Sequence, residues 1–178
     1  MSAITADNCQ GQSNSSGEGL DATTANNCQG QCASSGTGLA TTQTAVGCYG
    51  YSVYGIGLSA NNANNCNGQS GSSGIGLNAT QIATGCYGLS GTGTGLVAYV
   101  AENCLGVSNG TGTGLDASAA NNCYGYSFNG GTGLHASVVA TGCFGDVANG
   151  PGTGLVAQNG NFCFGTSVTI YGYKCNMP

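Results

Sequence analysis

Ala120-Asn121-Asn122-Cys123-Tyr124-Gly125-Tyr126-Ser127, followed by Gly131-Thr132-Gly133-Leu134-His135-Ala136, is one turn of a pattern that fills almost the whole chain. The tetrad Gly-x-Gly-Leu occurs eight times, with its leucine at Leu20, Leu39, Leu58, Leu77, Leu96, Leu115, Leu134 and Leu155. The first seven leucines are spaced 19 residues apart, and the last gap of 21 carries the turn-forming insertion Asn149-Gly150-Pro151. A second column, Cys-x-Gly, falls at Cys9, Cys28, Cys48, Cys66, Cys86, Cys104, Cys123, Cys143 and Cys163. The arm from leucine to cysteine has eight residues where Asn precedes the cysteine and nine where Gly does, and Phe162 is the exception at the last rung. A period kept to the residue means that every repeat is the same geometric step, as in a solenoid.

The step is too short for paired helices, because three glycines in 19 residues would each cost about 1 kcal/mol in a helix interior. Alternation points to strands. Ala stands two residues after the leucine in seven of the eight repeats, with Thr41 as the exception. In Cys123-Tyr124-Gly125-Tyr126-Ser127 the small residues share one parity and the variable ones the other. Asn8, Asn27, Gly47, Asn65, Gly85, Asn103, Asn122 and Gly142 precede the repeat cysteines. Asn and Gly are the residues that tolerate left-handed backbone, so a recurring corner is expected there. Stacked Asn26, Asn64 and Asn121 are expected to bond along the axis as Asn ladders do. The sequence thus predicts an all-β fold, a parallel β-solenoid of about nine 19-residue coils over residues 1–167, with a C-terminal cap at 168–178.

The composition fits and excludes. Of 178 residues, 35 are Gly and 11 are Cys, with one Lys or Arg against six Asp or Glu. A nucleic-acid binder needs several basic residues to neutralise phosphates, and Lys174 stands alone. One His and six scattered acids leave few groups for acid–base chemistry, so no enzymatic activity and no cofactor is expected. Only Asp7, Glu18 and Asp21 bring acids onto neighbouring coils. No apolar run reaches 18 residues, and the N-terminus carries no basic and apolar leader, so membrane insertion is not expected. The abrupt start on repeat sequence is read as the beginning of a segment cut from a longer protein, with an N-terminal edge free to associate.

The repeat resembles the Gly/Asn-rich coils of bacterial right-handed parallel β-helix repeat proteins, which form segments of large secreted or surface proteins. That resemblance implies a right-handed β-helix and an extracellular or cell-surface location; the general hand of parallel crossovers agrees. The family includes polysaccharide-processing enzymes as well as passive stalks and adhesins.

Several columns bear on function. The nine ladder cysteines, Cys9 to Cys163, are expected to point inward as mostly free thiols. Neighbouring coils lie about 4.8 Å apart, within disulfide reach, but in-register Cβ vectors run parallel, which disfavours bridging. Cys32 takes a position that is Ser in most repeats and is expected to face inward beside Cys28; Cys175 lies outside the ladder. A line of cysteines makes no zinc tetrahedron, the Gly-x-Gly turns lack the following helix of a phosphate cradle, and the column Asp21, Ala40, Ser59, Asn78, Val97, Asp116, His135, Val156 is no calcium ladder. No metal site is therefore expected, and His135 reads as a solvated surface residue.

Outward residues around each repeat Gly turn from glutamine at the N-terminal end to aromatic and aliphatic. The candidate interaction face is Tyr49, Tyr51, Tyr87, Leu89, Leu105, Val107, Tyr124, Tyr126, Phe144 and Phe164, a stripe of the kind that marks an interaction site. The competing expectation is that the C-terminal segment folds over this stripe. The column Glu18, Thr37, Ile56, Ile75, Thr94, Thr113, Thr132, Thr153 is similar to ice-binding faces, although its shared parity with the leucines suggests an inward aim. The expected function is a non-enzymatic stalk, fibre or adhesive rod that partners with itself through coil ends or lateral packing. Glycan binding and ice binding are the alternatives.

Overall fold

A computed structural model describes residues 2–172 and 174–175. All regular structure is β, arranged as two parallel sheets joined coil by coil. The long sheet has eleven strands; it runs from Ser2–Asp7 through Leu20–Asn26, Leu39–Val46 and their successors to Gly152–Asn161, Val168–Ile170 and Lys174–Cys175. The short sheet has nine strands, from Gln10–Ser13 and Gln29–Cys32 to Phe144–Val147 and Phe164–Gly165. This is a parallel β-solenoid of about nine coils. Each leucine pairs with the leucine of the next coil, as Leu96 does with Leu115 and Leu115 with Leu134.

Local backbone chemistry makes the corners. Asn8, Asn27, Asn65, Asn103 and Asn122 have φ of 50–53°, and Gly47, Gly85 and Gly142 have φ of 59–61°. Gly stands at the corners that end the nine-residue arms. A Cβ on Gly47 would lie 2.6 Å from Oδ1 of Asn27 one coil below, and Gly85 and Gly142 meet Asn65 and Asn122 in the same way. Phe162 adopts the same corner at φ 52° while 50% exposed, without the side-chain tolerance of Asn or the freedom of Gly.

The nine-residue arms are β-bulges. Ala22 pairs with Thr41 and Thr24 with Thr44, so Thr42-Gln43 oppose Thr23 alone. Thr80-Gln81 and Ser137-Val138 are accommodated likewise opposite Tyr99 and Ser118. The bulge absorbs the extra residue before the corner and keeps the cysteine columns in register; the arms from Cys48 to Leu58 and from Cys86 to Leu96 are then one residue shorter, which restores the 19-residue count.

The core is thin. All eight repeat leucines are at most 1% exposed, with the Ala and Cys columns packed beside them; burying each leucine contributes about 1.5–3 kcal/mol. Where the short strands pass the corner ahead of the leucine, backbones touch. A Cβ on Gly125 would lie 2.7 Å both from the Gly133 carbonyl carbon and from Cβ of Leu134. Serines brace the connecting loops: Ser52 Oγ donates to the Gly36 carbonyl at 2.7 Å and accepts the Gly55 N–H at 2.9 Å, and Ser90 repeats this with Gly74 and Gly93.

Two expectations change. The Thr/Ile column does not share the leucine's direction: Thr37, Ile56, Ile75, Thr94, Thr113, Thr132 and Thr153 are all half-buried, whereas the following Gly and Leu are both buried. Two successive inward residues mark a corner that breaks the parity. The Asn ladder is also discontinuous, because Asn26, Asn64 and Asn121 are interleaved with Val46, Thr84 and Glu102. Asn26 instead donates to Asp7 Oδ1 at 2.8 Å. At the C-terminal end, Val168–Ile170 pairs in register with Leu155–Ala157, so Val168 occupies the leucine column. Residues 173 and 176–178 of the expected cap lie outside the described residues.

Gly125→Ala is expected to destabilise the protein by about 3 kcal/mol, at the upper end of overpacking costs, since its contacts are backbone and cannot rotate away. The measurement is the thermal midpoint against Gln158→Ala at an exposed position; equal midpoints would contradict the close approach. Phe162→Asn is expected to raise the midpoint by a few degrees by relieving a left-handed penalty of roughly 1–2 kcal/mol.

Candidate interaction face and thiol ladder

The interior column forms first from the backbone. Because successive coils are in register, each cysteine side chain lies over the last. The amide of Cys28 donates to Sγ of Cys48 at 3.4 Å, that of Cys48 to Cys66 at 3.4 Å and that of Cys86 to Cys104 at 3.4 Å. Each thiol also reaches a carbonyl two residues earlier, as Cys123 does with Asn121 at 3.2 Å. The sulfur thus satisfies the cysteine N–H at the corner, while the carbonyl that the thiol reaches also accepts a backbone N–H from the neighbouring coil, as Asn121 does from Asn103 at 3.0 Å. From Cys28 to Cys163 the ladder is at most 3% exposed, and Cys9 on the first coil is half-buried. None of the ten described cysteines is bridged. Cys32 is 1% exposed in the serine column, its thiol donating to the Ser15 carbonyl at 3.1 Å. Hydrogen bonding between neighbouring thiols pushes alternate members of the ladder in opposite directions, Cys48, Cys86 and Cys123 up and Cys66, Cys104 and Cys143 down, while burial pushes all of them up. With at most 3% of each residue exposed from Cys28 to Cys163, the ladder thiols are closed to reagents and to metal ions from solvent.

The outward face is the short sheet. Tyr49, Tyr51, Tyr87, Leu89, Leu105, Val107, Tyr124 and Tyr126 are half-buried by their axial neighbours, and Phe144 and Phe164 are 41% and 47% exposed. Ring centroids of Tyr124 and Phe144 are 5.3 Å apart, and Tyr124 and Tyr126 stack at 6.3 Å. Phe128, just past the strand, extends this group by an edge contact to Tyr126 at 6.3 Å. It falls outside the repeat columns, which is why the sequence pattern passed over it. Toward the N-terminal end the face is polar: Tyr49 donates to Gln69 Oε1 at 3.4 Å, and Gln69 donates to Asn67 Oδ1 at 3.3 Å. Burial pushes the phenols of Tyr49, Tyr87 and Tyr124 upward; they remain neutral hydrogen-bonding groups. The described C-terminal strands extend the long sheet, not this face.

On the opposite face, register brings Asp116 beside His135, and Nδ1 meets Oδ1 at 2.6 Å. The shared column spaced 19 residues apart was the available signal, although His135 alone reads as merely solvated. Both side chains are over 40% exposed on an open sheet face, so this pair is weakly stabilising. Among the described residues, no group of three or more His, Cys, Asp or Glu is placed to hold a metal ion, and no helix is long and apolar enough to cross a membrane. No protein-family model, curated protein or solved structure matches the chain.

Alkylation of the folded protein followed by mass spectrometry is expected to leave every thiol from Cys28 to Cys163 unmodified until denaturant is added, with Cys9 accessible. Rapid native labelling of Cys86 or Cys104 would contradict the buried ladder.

Proposed function

We propose that this chain is a non-enzymatic structural segment, a stalk, fibre or adhesive rod of a bacterial extracellular or cell-surface protein, wound as a right-handed β-helix. One observation carries this reading: the interior is consumed by packing. Leucine, alanine, cysteine and serine columns fill the space between the sheets, and glycine backbones close the remainder. Nine coils at about 4.8 Å each give a rod on the order of 40 Å long. Length is what such a stack supplies, and the outward columns supply contacts with further copies.

The exposed aromatic end of the short sheet supports a second reading, a carbohydrate-binding module, because tyrosine and phenylalanine rings in a row stack on sugar rings. The outward aim of the threonine column supports the third, ice binding. Negative-stain micrographs are expected to show rods that bundle or associate into filaments, with no thermal hysteresis. Dispersed particles that bind a glycan array, with binding lost in Tyr124→Ala combined with Tyr126→Ala, would replace the rod reading with the carbohydrate one.

A further inference from the structure

The two sheets differ in a way that bears on how rods meet. Six pairings of the long sheet carry register shifts from bulges. The eight pairings of the short sheet carry none. The short sheet is the smooth face of the solenoid, and its side chains form two straight columns two residues apart.

Polarity on this face changes along the rod and hardly at all across it. Gln10 stands beside Gln12, Tyr49 beside Tyr51, Leu105 beside Val107 and Tyr124 beside Tyr126. The C-terminal rung departs from this, with Asp146 beside Phe144. A face built this way matches a second copy in one orientation. A twofold axis parallel to the rod, lying in the contact plane, sets the first column of each rung against the second column of the same rung in the partner. Glutamine then meets glutamine, leucine meets valine, and tyrosine meets tyrosine. An antiparallel arrangement would set Gln10 and Gln12 against the phenylalanine end, leaving buried amides without partners.

The area suffices. Nine strands at about 4.8 Å and four residues at about 3.3 Å give a patch of roughly 40 by 13 Å. Two such patches bury about 1,000 Å² in projection, and more in accessible area because the columns are ridged; a specific interface needs about that much. Charge opposes association little, since Asp146 is the only Asp, Glu, Lys, Arg or His in these two columns and meets the second copy's Phe144 near the C-terminal end of the patch.

We propose that two copies of this chain associate through the short-sheet face as a parallel, in-register dimer with its twofold axis along the rod. This rests on the self-association in the rod reading and names its surface and symmetry. Sedimentation equilibrium of the full chain is expected to give a dimer at micromolar concentration. Val107→Asp combined with Tyr126→Asp is expected to give a monomer with an unchanged far-UV spectrum, while Tyr99→Asp, on the long sheet, stays dimeric. Should the double variant fail to fold, orientation is read independently. A chain carrying Gln29→Glu and Gln31→Glu is mixed with one carrying Gln29→Lys and Gln31→Lys. Parallel pairing places opposite charges face to face and enriches the mixed dimer several-fold over its statistical share. A statistical distribution would overturn the parallel register. A wild-type monomer would overturn the dimer, and if it appears as single rods in micrographs the rod reading stands without it. A monomer that binds neutral oligosaccharide through Tyr124 and Tyr126 would overturn both.

Discussion

The close approach of the two sheets at their glycine columns is the constraint on which the rest depends. From Gly11 to Gly145 the glycine of each short strand lies against the glycine and leucine of the same coil, nearer than any Cβ permits. With the backbones held this close, there is room elsewhere between the sheets only for Ala, Cys and Ser, and for one larger side chain per coil, the leucine. The thinness also flattens the exterior. Side chains that cannot fit inside must face out, so the tyrosines and phenylalanines lie in columns on the short sheet.

Cysteine in this setting is a structural residue. It is small enough for the gap, apolar enough for burial, and able to accept a backbone N–H through sulfur. Its position one residue past a left-handed corner makes that last property useful, because the corner turns an amide into the interior. Ser52 and Ser90 take the equivalent role at the other end of the short strand, where the amide to be satisfied belongs to a loop, whereas the buried hydroxyls of Ser70 and Ser108 act by size alone. Scarcity of charge has the same origin: each outward column repeats about every 4.8 Å, and like charges stacked at that distance repel. Asp116 with His135, and Asp7 with Asn26, show charges admitted where the neighbouring rung offers a partner.

Much of this was legible in the sequence because a solenoid converts period directly into position. The leucine and cysteine columns, the left-handed corners and the outward tyrosines follow from counting by 19 and by two. What counting missed has specific causes. The threonine column was assigned by strand parity, and a corner between Gly38 and Leu39 breaks parity. The asparagines were stacked by residue type, whereas the register interleaves them with Val46 and Thr84. The unequal arms were visible as a count, but their conversion into bulges opposite Thr23, Tyr99 and Ser118 depends on pairing with the next coil.

The most direct test of the thin glycine-lined interior is a carbon-edited NOE spectrum of the protein in solution. Cβ of Leu20, Leu96, Leu115, Leu134 and Leu155 lies within 3 Å of where a side chain on Gly11, Gly88, Gly106, Gly125 and Gly145 would begin. Strong cross-peaks are therefore expected between each of these glycine α-protons and the β-protons of its leucine, repeated coil after coil. Assigned glycine and leucine resonances without those cross-peaks would show the sheets to be further apart and the account of the fold to be wrong.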